Sequence, residues 1–589
     1  MRLVVLLCCG ALCAQEKEPV RKQTVIVTGA YEPIPLEEAD RSVKVILARE
    51  LIPLAASISD LLNLDASLDL RERAAGAVNS GLSIRGGSFG QTLLLWNGFR
   101  MNNVQTPNLS MDLPIPLESI SQLEVLKGSG STLYGSDATA GVLNVISQAP
   151  AHSEVRLRTG FGNWGTQQQH ASAAYVRNLF SQRLTFARDF STGFAPNRDF
   201  RNLSVASETQ FKRTSVTLAH NDRPFGAEQF YGNFNSWERT KSWFAGLRQG
   251  LGRNTEAVFA FRRNTDLFVL YRDRPQVYTN RHSVETYQAA LRRSNDLPHK
   301  ARLHYGAELF ADRINSNNLG HHGRTRSAAY VAYDLRTLQR FSLTLGLRDE
   351  IYRNFQHEWN PSFGAGYWLG SRAKLRASAS RAFRLPTYTE LYYRDPANVG
   401  DPLLRPERAW TLEGGVDLHL SSSVKASVTV FQRRERDGID YVRPSPTEIW
   451  RATNFQALNF NGIEAQIGMV LARRHRVEFA YTGLDGAQAV LNGMQSKYVF
   501  NYPKHSGLAT WQAAWSNGIM ARSRLGALER FGRSPYMVWD VFASYQKRRV
   551  RPYLQLANIT STRYQELIGV PMPGRSVLGG IEFVLYQPR

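Results

Sequence analysis

Residues 81–100 read GLSIRGGSFGQTLLLWNGFR, and after a short gap residues 116–147 read PLESISQLEVLKGSGSTLYGSDATAGVLNVIS. Residues 91–96 are a short apolar run closed by Asn97-Gly98, a pair that suits positive φ at both positions of a tight hairpin turn. Residues 123–126 and 142–146 are rich in branched side chains, as buried strands are. Gly128, Gly130, Gly135 and Gly141 interrupt them where the backbone must turn sharply. Upstream, residues 59–64 place apolar side chains at helical spacing behind a Ser/Asp start, which predicts a short helix packed into the same unit. The stretch therefore describes a small, tightly turned sheet domain.

From about residue 151 the texture changes to alternation that runs to the end of the chain. Residues 372–380, RAKLRASAS, put small or apolar groups on one face and charged or hydroxyl groups on the other, and residues 412–420 and 424–430 do much the same. Period two with one polar face marks a strand wet on one side only. Soluble sandwiches share the pattern but rarely extend it this far without another domain type. A strand that crosses an outer membrane takes about 9–11 residues. The region is long enough for many such strands joined by short turns at one end and longer loops at the other.

The leading stretch has a domain's motifs in order: LSIRG at 82–86, Asn97-Gly98, Ile120, LEVLKG at 123–128, LYGS at 133–136 and AGVLNVI at 140–146. This order resembles the plug domain of TonB-dependent outer-membrane receptors. It marks Arg85, Gly86, Asn97, Gly98, Glu124, Lys127, Gly128, Tyr134, Gly135, Gly141 and Asn144 as plug-motif residues. The chain departs from the family with Asn97 in place of the usual Asp, Ser121-Gln122 in place of an acidic residue and Arg, and Ser129 where Pro is common. Residues 380–387 (SRAFRLPT), 390–392, 404–407 (LRPE), 461–464 (NGIE), 556–560 with Tyr564, and 573–575 are similar to barrel signatures of the same receptors. The final strand at 580–586 alternates and carries aromatics, then departs from the usual terminal aromatic with Gln587-Pro588-Arg589.

Ahead of the plug, residues 22–30 (KQTVIVTGA) look like a TonB box, here Gln23, Thr24, Val25, Ile26, Val27 and Thr28. Its physical task is to pair edge-to-edge with a strand of a periplasmic energy-transducing protein through main-chain hydrogen bonds. Residues 31–35, with two prolines, read as an extended linker. Residues 1–14 read as a secretory signal peptide: Met1-Arg2, an apolar run at 3–13, and cleavage near Ala14. A lipid-modified Cys13 is the alternative, disfavoured by Leu12 before it. All three cysteines lie within this leader, so no disulfide framework is expected after export.

What the resemblance implies is an all-β dominated fold: a 22-stranded transmembrane antiparallel β-barrel at 151–589, occluded by an N-terminal mixed α/β plug at 43–150, with a periplasmic segment at 15–42. It further implies a monomeric cell outer-membrane receptor in contact with membrane lipid and a TonB-type partner. Such a receptor imports a small-molecule ligand, a scarce bulky nutrient complex of the cobalamin or ferric siderophore class. The rival readings are a passive porin, a non-transporting receptor or adhesin, and an outer-membrane barrel enzyme.

A net charge of +22 first suggests nucleic acid. The basic residues are, however, spread along the whole chain without a basic run or stacking motif, so no nucleic-acid partner is expected. Guanidinium groups in a wet lumen, or facing anionic lipopolysaccharide at the rim, account for the charge. No catalytic, cofactor or metal site is expected. Residues 86–90 match G-x-S-x-G, but a strand pattern follows Ser88 where that motif needs a helix. Residues 128–132 are glycine-rich but lack the Lys-Ser/Thr of a P-loop. His321-His322 reads as a surface loop, and Asp189, Asp199 and Asp222 lack the clustered spacing of a calcium site.

Two aromatic-rich stretches, 225–237 and 388–395, supply substrate-contact candidates: Phe225, Phe230, Tyr231, Phe234, Trp237, Tyr392 and Tyr393. The same residue types build the interfacial girdles of outer-membrane barrels. Arg85, Glu124 and Lys127 are expected to pair with barrel residues, because an unpaired charge in a crowded lumen is costly.

Overall fold

A computed structural model describes residues 25–26, 28–74, 76, 78–338, 340–352, 356–455, 457–487, 493–499 and 501–586. The expected leader at 1–14, the residues Gln23, Thr24 and Val27, and the terminal 587–589 lie outside that set. Twenty-two antiparallel strands close into a barrel in which each strand pairs with its sequence neighbours. The seam is closed where the first strand, Glu154–Gly162, pairs with the last, Ser576–Tyr586.

Alternation fixes which way each strand faces. In Ala373–Arg384 the polar residues Lys374, Arg376, Ser378 and Ser380 are buried in the lumen, whereas Leu375 is 41% exposed on the outside. Val424–Arg436 repeats this, with Thr429 buried and Val428 and Val430 exposed. Apolar outside and polar inside is the inverse of a soluble sandwich, and it is what a lipid-facing wall around a polar lumen requires. One end of the barrel turns tightly, through residues 178–179, 212–213 and 252–254. The other end carries long connections such as 385–406 and 558–575. At this loop end the short strands Asn398–Val399, Trp450–Phe455, Gly438–Arg443 and Gln495–Ser496 join into one sheet, which the sequence reading missed.

The lumen is filled by a five-stranded sheet in the order Val43–Ile46, Gln122–Lys127, Gly141–Ile146, Thr92–Trp96, Phe99–Arg100. Asn97 (φ +50°) and Gly98 (φ +81°) form the expected hairpin turn between the last two strands. Gly141 is needed for close approach, since a Cβ there would lie 2.5 Å from the Leu126 carbonyl oxygen. Trp96 and Phe99 pack against Phe244 of the barrel wall, with ring centroids 5.4 and 5.5 Å apart, so the sheet core continues into the wall.

The short helix is Ile58–Leu62, one residue earlier than expected, because the Asp60 carboxylate accepts from the Ser57 and Ala56 amides at 3.1 and 2.8 Å. Ser88 precedes a single 3₁₀ turn, Phe89–Gln91, that leads straight into a strand. Two loop readings need correction. His321 and His322 belong to the 19-residue strand Gly320–Leu338, held extended by pairing with Ala301–Ser316. Within the expected linker, Ile34–Pro35 pairs with Val25–Ile26, and Tyr31 stacks between His304 and Tyr330 at 5.3 and 5.8 Å.

Candidate functional site: the plug–barrel interface

Arg85 has φ +49° and is followed by Gly86 at φ +72°, a backbone bend that aims the guanidinium at the wall. Its Nε and Nη2 donate to the two oxygens of Glu464 at 2.8 and 2.9 Å, and Nη1 donates to Glu413 at 2.6 Å. The Phe431 ring covers one face of the guanidinium at 4.0 Å. Lys127 places Nζ 3.1 Å from Asp65 and 3.5 Å from Glu464. Burial lowers both cations' affinity for their protons, but the surrounding carboxylates outweigh it and hold both above their ordinary range. Gly128 leaves room for this cluster, since a Cβ there would meet Thr411 at 3.2 Å and Arg85 at 3.6 Å.

Two further ion-pair groups hold other sides of the plug. Gln91 donates to Glu407 and Glu435 at 3.0 and 3.1 Å, beside Arg384, which is paired through both forks with Glu390 and Glu407 at 2.7–3.0 Å. Asp69 receives Arg530 at 2.7 and 3.0 Å and Arg71 at 2.7 Å, and Arg530 also bonds Glu566. The quoted barrel motifs thus converge: Arg384, Glu390, Glu407 and Glu464 all face the plug.

At the turn end, the part of the 23–28 stretch that is described is folded away. Ile26 is fully buried with Ile34 and Ala39. The Thr28 amide donates to Glu124 at 2.6 Å, and its hydroxyl accepts from Asn144 at 2.9 Å. Tyr134 touches Thr28 and Gly29, and burial followed by the Glu124 charge pushes its phenol up. Glu124, expected to pair with the barrel, is instead engaged by the plug's own N-terminal segment and by Gln122 of its own strand. Gly135 (φ +78°) brings the adjacent backbone against the wall, where a Cβ would lie 2.5 Å from Glu350. Asn97 and Ser147 exchange hydrogen bonds at 2.7 and 2.9 Å, and the Gly98 amide donates to Asn144 at 3.2 Å.

The aromatic candidates fall into two groups at the loop end. Phe225 and Phe230 are buried with Phe200 and Val570 against Ala74 and Val78 of the plug, so they pack the apex rather than line an open platform. Tyr231 is 38% exposed and donates to Glu238, while Asn79 of the plug donates to Tyr231 at 2.6 Å. Phe234 makes an edge contact with Tyr271 at 5.7 Å. Trp237 does not belong with them. Its neighbours Ser236, Glu238 and Thr240 are lumen-facing and buried, so strand parity sends Trp237 to the outer wall with Trp243. In the second group, Tyr392 stacks on His322 at 3.7 Å, and Tyr392 and Tyr393 pack with Tyr388 around Val104 at the plug apex.

A family model described as "TonB dependent receptor-like, beta-barrel" matches residues 160–559, and one described as "TonB-dependent Receptor Plug Domain" matches residues 35–142. The chain belongs to the TonB-dependent receptor family. It is 23% identical over 466 residues to a vitamin B12 transporter BtuB of Vibrio vulnificus, covering 72% of each chain. With an iron-regulated outer membrane virulence protein of Vibrio cholerae it shares 22% over 559 residues, 84% of each. Among solved structures, the ferric enterobactin receptor PfeA of Pseudomonas aeruginosa matches at TM-score 0.77 and 14% identity, over 95% of this chain and 100% of that one. The family is one of receptors and transporters rather than enzymes.

This TonB-dependent receptor is therefore an outer-membrane barrel, with its turn end at the periplasm and its loop end outside. The three acidic residues weighed for calcium are otherwise engaged: Asp189 with Gln168 and His170, Asp199 with Arg272, and Asp222 with Arg239. Among the described residues no three His, Cys, Asp or Glu side chains gather as a metal site would need. A cavity of about 320 Å³ lies between plug residues 56–76 and the wall on either side of the seam. Asp69, Glu72, Arg198, Asp540 and Glu566 are among its lining.

One pH effect follows at this cavity. Burial alone would raise the Asp69 carboxyl, but Arg530 and Arg71 reverse that and hold it at about 2. Its docking energy is complete above the ordinary carboxylate range, and it is lost as pH falls from about 4 through about 2. Asp69→Asn is expected to weaken plug retention in urea by about 2 kcal/mol at pH 7, a difference that vanishes near pH 2. Protease susceptibility of the plug measures it, and a penalty independent of pH would refute the charge-based account.

Proposed function

We propose that this receptor imports a scarce, bulky nutrient complex, with cobalamin placed just ahead of ferric siderophores. The observation that carries the reading is that the coupling segment and the latch share one strand. Thr28 is held by Glu124, and three residues along the same strand, Gln122–Lys127, Lys127 meets Asp65 and Glu464 beside Arg85. Tension applied by a TonB-type partner to the 23–28 stretch is delivered through Glu124 to the strand that closes the lumen. The plug-motif glycines keep that strand close to the wall, and residues 15–42, 43–150 and 151–589 act as periplasmic segment, plug and barrel of a monomer embedded in outer-membrane lipid.

The relatives named as vitamin B12 transporters support the first ranking, and the solved siderophore receptors of the same fold support the second. Tyr231, Phe234, Tyr392 and Tyr393 are the residues we assign to the outer vestibule, where aromatic faces suit a corrinoid or a catecholate equally. A lumen filled by a plug with buried ion pairs argues against a passive porin. The test is titration of purified receptor with a panel of cobalamins, ferric siderophores and oligosaccharides. Tight binding of a corrinoid or an iron chelate is expected; retention of an oligosaccharide alone would overturn the assignment.

A further inference from the structure

The outer wall between Thr214–Glu228 and Ala301–Ser316 carries a feature that solute import does not use. Hydrogen-bond register aligns outward residues in rows across five strands. One row is Val216, Leu247, Phe259, Ala289, Leu309, and the next toward the loop end is Leu218, Ala245, Phe261, Tyr287, Ala311. Alanines set among large side chains leave a shallow apolar groove of about 470 Å³ on the membrane-facing surface, within the range of ligand-binding clefts.

The chemistry changes abruptly one row further out, a rise of about 7 Å along the strands. That row reads His220, Trp243, Arg263, Glu285, Arg313, and beyond it stand Lys241, then Arg239 and Arg281. Arg263, Arg281 and Arg313 are exposed, and among the described residues none of the three forms a salt bridge. Their row's one carboxylate, Glu285, accepts from Tyr287 at 3.1 Å, while Asp222 is taken by Arg239. The result is unpaired cations directly above an apolar groove, on its loop-end side.

We propose that this wall is a binding site for an acylated, phosphorylated lipid of the outer leaflet. One acyl chain lies in the groove over Ala245, Ala289 and Ala311, and the headgroup phosphate is held by Arg263 and Arg313, with Lys241 and Arg281 above. Charge complementarity selects this occupant. A second copy of the chain would bring the same arginines together across the interface, and a zwitterionic lipid would leave them uncompensated. The guanidinium fork suits phosphate oxygens, and each cation near an anionic lipid surface strengthens attachment several-fold. The inference needs only the outer-membrane barrel and is independent of which nutrient is carried.

The test uses the delipidated full receptor in detergent and native mass spectrometry with three probes: diphosphorylated lipid A, its dephosphorylated counterpart, and phosphatidylethanolamine. Retention of the diphosphorylated lipid at least about tenfold above the other two is expected, reduced at least about tenfold by Arg263→Gln/Arg313→Gln. Filling the groove with Ala245→Leu/Ala289→Leu is expected to release the lipid without touching a charge. Heat-modifiable mobility verifies that each variant barrel is folded, and nutrient binding should be unchanged in all of them. Equal retention of the three probes, indifference to both variant pairs, or a dimer abolished by the groove-filling pair would overturn the proposal.

Discussion

Replacing Arg85 by alanine is expected to unlock the plug. The wild-type guanidinium, 1% exposed, satisfies both oxygens of Glu464 and one of Glu413. After truncation Glu413 keeps Arg376 at 2.8 Å, but Glu464 is left with Lys127 at 3.5 Å. Removing one partner of a buried ion pair costs about 3–5 kcal/mol, because the remaining charge is stranded away from water. That is a large share of the roughly 5–15 kcal/mol that holds a domain folded. Arg85→Lys is expected to recover only part of the loss, since an ammonium cannot reproduce the fork that spans two carboxylates. In planar bilayers the wild-type receptor should stay closed while Arg85→Ala shows urea-sensitised or spontaneous conductance. The control is Lys44→Ala, which breaks the more exposed Lys44–Glu478 pair and should cost no more than about 1 kcal/mol. An Arg85→Ala receptor as tightly closed as the Lys44→Ala variant would remove the latch from the mechanism.

The barrel and plug were legible because each rests on a local rule. Asn97-Gly98 dictates a turn wherever it sits between strands, and period-two alternation states which residues meet lipid without reference to any partner. The latch was not legible, because Arg85 lies 328 and 379 residues from Glu413 and Glu464. No local periodicity encodes which strand of a 22-stranded barrel will face a given plug residue. Glu413 fell only within the alternating stretch 412–420, whereas Glu464 lay in a receptor-like motif. The misplacement of Trp237 was avoidable: Ser236, Glu238, Thr240 and Ser242 form an unbroken polar phase, and Trp237 shares its parity with Trp243 and Leu247. Density of aromatics was read there before strand parity. Phe225 and Phe230 were ambiguous for a different reason, since an apolar ring looks the same in sequence whether it meets a ligand or, as here, Ala74 and Val78 of another domain. The linker at 31–35 failed similarly, because Tyr31 finds its rings on two distant strands.

Ile26→Pro is expected to reduce energised uptake while leaving nutrient binding and barrel assembly intact. Ile26 is opposite Ile34 in a two-residue antiparallel pair, with its side chain fully enclosed. A segment that trades this pairing for a partner's strand must present its main-chain donors in both states. Proline fixes φ and removes one ladder donor, and the acceptor left unsatisfied costs about 1–3 kcal/mol, equivalent to roughly a five- to hundredfold loss in coupling. The loop-end residues that would contact nutrient are on the far side of the plug, so affinity for the nutrient should change less than about twofold. Ile26→Val separates side chain from backbone: it keeps the donor and removes one methylene, at about 0.5–1.5 kcal/mol, so its uptake should remain within about tenfold of wild type. If the valine variant failed as completely as the proline variant, recognition would reside in the side chain and the edge-pairing mechanism would be wrong. If the proline variant imported normally, the 23–28 stretch would not be the coupling segment, and the force reaching Glu124 would have to enter the plug elsewhere.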